Sequence, residues 1–214
     1  MYISEIFQSI DGEVNRWGQG HITTFIRLAG CNLRCSYCDT KYAQTTTGSK
    51  IMGVEEILKE VHTPKVTITG GEPLLQKEEL KELIKQLKLM SRNSQKISIE
   101  TNGSIEIPDW YCDLNWIVDY KLPSSKMFSS MSQRSYMNLK ETDYIKFVIY
   151  NQSDFKFARE IKKYLQEHLY VRAKFAFSPC VGKLDEETLL DWMLGFGLYD
   201  AILNIQIHKK IGLK

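Results

Sequence analysis

The sequence predicts an α/β protein in which strands and helices alternate around a largely parallel sheet. Two observations carry that reading. Short β-branched runs alternate with longer stretches whose apolar residues recur at intervals of three and four. The most unusual segments, GCNLRCSYCDT, TGGEP, ETNG, DYKLPSS, FSPC and IHKK, each stand just after one of the runs. In β/α folds the C-terminal ends of the strands form the active face, so six scattered segments are expected to meet at one mouth.

In chain order, residues 1–7 are expected to add an extra edge strand. Strands follow at 23–29, 65–69, 96–100, 116–120, 144–150, 171–177 and 203–207. Helices are expected at 54–61, 75–90, 153–168 and 186–194, where apolar periodicity is helical. Ser153 with Asp154, and Asp185 with Glu186 and Glu187, read as helix starts. Between Gly103 and Leu114 there is little room for a helix, so one crossover should be abbreviated. Seven core strands permit an incomplete barrel or an open sheet. No repeat, low-complexity tract or linker interrupts the chain, and 214 residues suit a single domain, 1–214.

A hydrophobic content of 43%, a charged content of 25% and a net charge of +2 are those of an ordinary globular protein, and the near-neutral total argues against backbone-driven binding of nucleic acid, though not against a local basic patch. The N-terminus MYISEIFQSIDGEV has no charged leader or apolar core, and no run approaches the ~20 apolar residues of a membrane span. The chain holds five cysteines, three of them within eight residues, which is unlike a spread disulfide framework. Reduced thiols in a cytoplasmic protein are expected.

Cys31, Cys35 and Cys38 form C-x3-C-x2-C, a loop short enough to wrap three thiolates around a compact metal centre. Structural zinc takes four ligands, commonly as two separated pairs. Three cysteines on a [4Fe–4S] cluster leave one iron without a protein ligand, open to a substrate or cofactor. A zinc loop completed by Cys112, Cys180 or a histidine is the alternative; otherwise Cys112 and Cys180 read as small, partly buried side chains.

With the aromatic Tyr37 before its last cysteine, this loop resembles that of the radical S-adenosylmethionine superfamily. The resemblance implies an abbreviated (β/α)6-type barrel with an extra N-terminal strand. It also implies a [4Fe–4S] cluster on Cys31, Cys35 and Cys38 whose open iron is chelated by S-adenosylmethionine. Reductive cleavage of that cofactor yields a 5′-deoxyadenosyl radical, and the protein's part is to position it. Gly71 and Glu72 of the TGGEP turn are then expected at the methionyl amino group. Taken by itself, Gly70-Gly71 would be a plain turn.

A narrower resemblance covers nearly the whole chain. Glu5-Ile6-Phe7-Gln8-Ser9-Ile10-Asp11-Gly12-Glu13, the stretch from Phe25 to Leu33, Cys38-Asp39-Thr40, the stretch from Lys121 to Met127, Lys146-Phe147-Val148 and Gln206-Ile207-His208-Lys209 are similar to the 7-carboxy-7-deazaguanine synthase family. That family converts 6-carboxy-5,6,7,8-tetrahydropterin into 7-carboxy-7-deazaguanine with loss of ammonia, on the route to queuosine and other deazapurines.

The resemblance implies that Ile10, Asp11, Gly12, Glu13, Arg27, Thr69 and His208 meet the substrate, with Arg27 paired to its carboxylate and Glu13 or backbone groups reading its guanidine-like edge. It implies that Tyr37, Cys38, Asp39, Gly71, Glu72, Asp119, Tyr120, Lys121, Ser178, Pro179 and Cys180 meet S-adenosylmethionine. Thr40 is implied as a Mg²⁺ ligand. An electron donor such as flavodoxin or ferredoxin, and a homodimer, are further implications. His21, His62 and His168 read as structural or exposed.

There are two departures. Asp11-Gly12-Glu13-Val14 stands where the family usually has Q-G-E-G, and Asp119-Tyr120-Lys121 where relatives often have S-P-K. Two other readings of the loop remain: a glycyl-radical enzyme activase, and a non-catalytic zinc or iron–sulfur binding module.

Overall fold

The computed structural model describes residues 1–91, 94–110 and 113–213. Cys112 lies outside them. Nine strands form one sheet: β1 (Tyr2–Ile10), β2 (Ile22–Leu28), β3 (Lys50–Ile51), β4 (Lys65–Gly70), β5 (Lys96–Thr101), β6 (Asn115–Asp119), β7 (Tyr144–Ile149), β8 (Lys174–Pro179) and β9 (Ala201–Leu203). Their spatial order is β3-β1-β2-β4-β5-β6-β7-β8-β9. From β2 to β9 every neighbouring pair is parallel, whereas β1 runs antiparallel to both β2 and β3. The sheet does not close on itself, so the fold is an incomplete α/β barrel.

The helices are α1 (Val54–Lys59), α2 (Lys77–Met90), α3 (Arg134–Met137), α4 (Gln152–Glu167), α5 (Glu186–Gly195) and α6 (Ile207–Lys210). Sequence determines them locally. In α2, Leu80, Leu83, Ile84 and Leu87 fall on one face and are buried, with Glu78 and Glu79 in the first turn, where the helix dipole favours them. Asn151 caps α4 by accepting from Asp154 N at 2.9 Å, and Asp185 caps α5 by accepting from Thr188 N at 2.7 Å. Between β5 and β6 the described residues carry no helix, which makes this the short crossover.

Some boundaries differ from expectation. α4 begins at Gln152, because Asn151 rather than Ser153 or Asp154 supplies the cap. Residues 73–76 form a 3₁₀ turn ahead of α2. β1 is not an edge strand, since the two-residue β3 pairs beyond it. Residues 171–173 are not part of β8; Val171 N instead bonds Leu165 O at the end of α4. The last strand occupies Ala201–Leu203, and His208 and Lys209 lie in the short helix α6. Too few residues lie in β3, β9 and α6 to leave a periodic signal.

Alternation along the strands divides the interior in two. Outward residues, among them Ile26, Ile68, Ile99, Val118, Phe147 and Phe177, pack with α2, α4 and α5 in the main core. Inward residues are mostly polar: Thr67, Thr69, Ser98, Glu100, Asp119, Lys146 and Ser178. A small apolar cluster of Val14, Ile117, Tyr144 and Ala176 also lies on this side. Val14, on the chain between β1 and β2, is therefore a buried plug of the barrel interior.

Phe147 is fully buried and contacts Tyr120, Phe175 and Phe177, with ring centroids 5.8, 6.2 and 5.2 Å away. Phe147→Ala should lower unfolding stability by about 3–5 kcal/mol, measured by urea titration, because a closely packed site cannot collapse around the missing ring.

Candidate active site

One cavity of about 410 Å³ opens at the C-terminal ends of the parallel strands, and all six unusual segments reach it. Its wall includes Cys31, Cys35, Tyr37, Cys38, Asp39 and Thr40 from the loop after β2, and Thr69 and Gly71 after β4. Asn102, Asp119, Lys121, Ser178, Pro179 and Cys180 line it from the later strands. Gly12, Glu13, Arg27 and His208 complete it.

The cysteine loop is braced from below. Ser36 N and Oγ donate to the carbonyls of Ser125 and Ser124 at 3.0 and 2.6 Å. Arg34 folds back, with Nη1 donating to the Cys31 and Leu33 carbonyls at 2.6 and 2.8 Å. Cys31 Sγ accepts from Leu33 N at 3.4 Å and from Asn102 Nδ2 at 3.7 Å. The stretch from Lys121 to Met127 thus packs beneath the loop and supports it. Burial pushes the Cys35 thiol above its ordinary value despite Lys121 nearby. Tyr37 stacks on Tyr150 at 5.9 Å.

Gly71 is required by close packing. A Cβ there would stand 2.1 Å from the Gly30 carbonyl oxygen and 2.6 Å from that of Ala43, the residues that lead into and out of the cysteine loop. Gly12 is similar, since a Cβ would fall 1.9 Å from His208 Nδ1. The imidazole therefore lies directly on the glycine. Burial lowers the pKa of His208 and so favours the neutral ring, with Glu13 nearby opposing the shift.

A buried charge network spans the cavity. Lys146 Nζ lies 3.1 Å from Glu13 Oε2 and 3.3 Å from Asp119 Oδ1. Asp119 also binds Lys121 at 2.5 Å. Glu13 accepts from Asn204 Nδ2 at 2.6 Å and from Gln206 Nε2. Burial works to raise the pKa of Glu13 and Asp119, but Lys146, and for Asp119 first Lys121, hold both carboxyls below their usual range. Burial likewise disfavours charge on Lys146, yet Asp119, Glu13 and Glu100 keep its ammonium well above the ordinary lysine value. Glu100 behaves in the opposite way: burial, then the nearby Glu13, push its carboxyl up.

Arg27 donates through Nε to Glu5 Oε1 at 2.9 Å, and its guanidinium lies 5.8 Å from the Phe7 ring centroid. Thr40 Oγ1 donates to Asp39 Oδ1 at 2.9 Å, and Lys209 pairs with the other Asp39 oxygen.

Four residues expected in the site are not on the cavity wall. Ile10 pairs with Ile22, the first residue of β2, because antiparallel β1 ends at the foot of the barrel. Asp11 is buried against Lys65, the first residue of β4, also at the foot. Glu72 is fully buried and ties the chain together, accepting from Leu74 N, Thr101 Oγ1 and Asn102 N at 2.9, 2.7 and 2.7 Å. Tyr120, between inward Asp119 and Lys121, points outward among Phe128, Tyr136 and Phe147. His21, His62 and His168 are exposed and off the wall.

Glu100 and Asn102, from the ETNG segment expected at the mouth, and Lys146, from a family-like stretch, had no assigned role, yet they line the cavity. The signal for two of them was present. Glu100 and Lys146 are charged residues at inward positions of strands that are otherwise buried.

Comparison with known proteins agrees with this architecture. Residues 25–115 match the Radical SAM superfamily model. A 7-carboxy-7-deazaguanine synthase of Clostridium acetobutylicum is 40% identical over 98% of this chain and 95% of its own length. The chain belongs to this family. A Methanospirillum hungatei relative of the same name is also 40% identical, over 100% of this chain and 86% of its own. One from Bacillus subtilis is 30% identical over 94% and 86%. The protein is accordingly a radical S-adenosylmethionine enzyme, and the readings as a glycyl-radical activase or a non-catalytic module fall away.

Membership implies a [4Fe–4S] cluster and S-adenosylmethionine, and the residues present fit them. Three thiols share one cavity wall, and none of them is in a disulfide. Their C-x3-C-x2-C spacing lies within the segment that matches the Radical SAM superfamily model.

The network predicts an acid-sensitive fold. Because Glu13 and Asp119 have depressed pKa values, their stabilisation is present above the ordinary carboxylate range and lost as pH falls through the folded values. The thermal unfolding midpoint should drop as the pH falls below the ordinary carboxylate range of about 4. Glu13→Gln should lower the midpoint at pH 7 and flatten that acid limb, a comparison that scanning calorimetry across pH makes directly.

Proposed function

We propose that the protein converts 6-carboxy-5,6,7,8-tetrahydropterin into 7-carboxy-7-deazaguanine with loss of ammonia, supplying queuosine or related deazapurines. The observation that carries the reading is the composition of a single cavity. Its wall places the three thiols of the cysteine loop together with Arg27, Glu13 and His208. The names of relatives aligned along nearly the whole chain support the same reaction.

Cys31, Cys35 and Cys38 hold the cluster in this reading. When bound, the cluster and S-adenosylmethionine supply the radical that abstracts hydrogen from substrate. The chain's own residues bind, orient and exclude water. Arg27 uses Nε for Glu5, so its terminal nitrogens face the role of clamping the substrate carboxylate. Glu13 Oε1, with Gln206 beside it, accepts from the guanidine-like edge of the pterin. Thr69 and Gly12 pack along the same ligand, and His208 is a hydrogen-bonding partner for it.

Tyr37, Cys38, Asp39 and Gly71 lie beside S-adenosylmethionine, with Asp119 and Lys121 toward its ribose and carboxylate and Ser178, Pro179 and Cys180 closing over it. Thr40 holds Mg²⁺, an ion that accepts a hydroxyl together with substrate oxygens and waters. A small electron donor such as flavodoxin or ferredoxin, a homodimeric assembly and a cytoplasmic location complete the proposal. No helix among the described residues is long and apolar enough to cross a membrane.

The test is an anaerobic assay of reconstituted protein with dithionite, S-adenosylmethionine, Mg²⁺ and the pterin, read by mass spectrometry. The deazaguanine product is expected; 5′-deoxyadenosine without it would overturn the substrate assignment. Cys35→Ala should abolish cluster assembly and turnover together. Arg27→Ala should keep the cluster's absorbance and raise KM for the pterin by about a hundredfold, in line with loss of a charge-assisted pair. Thr40→Ala should weaken activation by Mg²⁺, and an unchanged Mg²⁺ titration would remove Thr40 from the metal's ligands.

A further inference from the structure

Asp11 and Lys65 are each only 2% exposed, so two full charges are buried at the foot of the barrel, below the cavity. Lys65 Nζ donates to Asp11 Oδ2, to Thr67 Oγ1 at 3.2 Å and to Ser98 Oγ at 3.4 Å. All three of its protons have acceptors. The Trp17 ring centroid lies 5.5 Å from the ammonium and shields it further. Thr67 Oγ1 also donates to Asp11 Oδ2 at 3.0 Å. A pair so enclosed is weak evidence for stability, because desolvation offsets much of the attraction, but it strongly restricts where its members can sit.

The other carboxylate oxygen faces the substrate segment. Asp11 Oδ1 accepts from the backbone N–H of Glu13 at 3.4 Å. The Asp11 backbone is held as well, with N donating to the His21 carbonyl at 2.8 Å and O accepting from Gly20 N at 2.7 Å. One residue further on, Gly12 lies under His208, and Glu13 projects up to Lys146, Asn204 and Gln206. The chain thus rises from a fixed charge pair to a cavity-wall carboxylate in two residues.

We infer that Asp11, clamped by Lys65, is a positioning residue that fixes the Gly12–Glu13 turn and thereby sets the place of the Glu13 carboxylate in the cavity. It does not touch the ligand. The kinetic consequence rests on the proposed pterin reaction, whereas the conformational consequence belongs to the chain alone.

Two double variants separate positioning from stability. Asp11→Leu with Lys65→Met removes both charges and the acceptor while keeping the site filled with apolar side chains. Asp11→Asn with Lys65→Met removes the charges but keeps an oxygen for Glu13 N–H. Hydrogen exchange of the purified chain, followed by mass spectrometry on peptides spanning residues 10–16, reads the turn without any activity.

The Leu/Met variant should lose protection there by about tenfold, the scale of one buried hydrogen bond. It should also raise KM for the pterin by about the same factor, with kcat and substrate-free cleavage of S-adenosylmethionine within roughly twofold. The Asn/Met variant should recover most of both. A folded Leu/Met variant with wild-type exchange and KM would overturn the inference. So would a folded Asn/Met variant that itself loses about tenfold protection relative to wild type, a result that keeps its force should the Leu/Met chain fail to fold. If the wild-type chain leaves the pterin unconverted, the reaction assignment fails and the exchange comparison still decides the role of Asp11.

Discussion

The ammonium of Lys146 is buried between two carboxylates, and much of the cavity depends on that contact. A buried cation is expensive unless it is paired, and here Glu13 reaches it from the segment after β1 while Asp119 reaches it from the end of β6. Each carboxylate is in turn committed to a second partner, Gln206 and Asn204 for Glu13 and Lys121 for Asp119. The charges therefore bind the N-terminal segment, the middle of the sheet and the C-terminal tail into one arrangement. Glu13 belongs to the wall proposed for the pterin and Asp119 to that proposed for S-adenosylmethionine, so a single lysine stands between the two ligand regions.

This polar interior is possible because the sheet has two unlike faces. The outward face packs aliphatic and aromatic side chains under the helices, which supplies the hydrophobic stabilisation. The inward face can then carry charges, since they are paired with one another and with residues of the segments after β1, β6 and β9. Glu72 shows the same logic at the rim. Its carboxylate does not face the cavity but joins the turn after β4 to the end of β5, holding Asn102 where its amide meets Cys31 Sγ.

Much of this was legible in the chain. The cysteine spacing, the glycines of the turn after β4 and the placement of unusual segments after β-branched runs identified the strand C-termini as the site, and the cavity gathers those segments. Periodicity located α2 and α4 closely, because their apolar stripes are long. It missed β3, α3 and α6 and displaced β9, because very short elements are determined by what they pack against rather than by their own pattern, and it began β8 too early. Ile10, Asp11, Glu72 and Tyr120 stand within or beside site motifs yet lie elsewhere: Ile10 and Asp11 at the foot of the barrel where β1 ends, Glu72 folded onto the end of β5, and Tyr120 among the aromatics of the outer core.

By itself, then, the sequence determined which residue types are present and at what local spacing, and hence the cysteine loop and the α/β class. Such information is local, carried by covalent neighbours and short-range geometry. Only the tertiary structure decided which side chains share a space. That Lys65 answers Asp11, that His208 rests on Gly12, and that Lys146 meets both Glu13 and Asp119 are contacts between residues far apart in the chain. They arise from strand register and from the thread of residues 11–15 through the barrel interior, where each buried charge must find its partner.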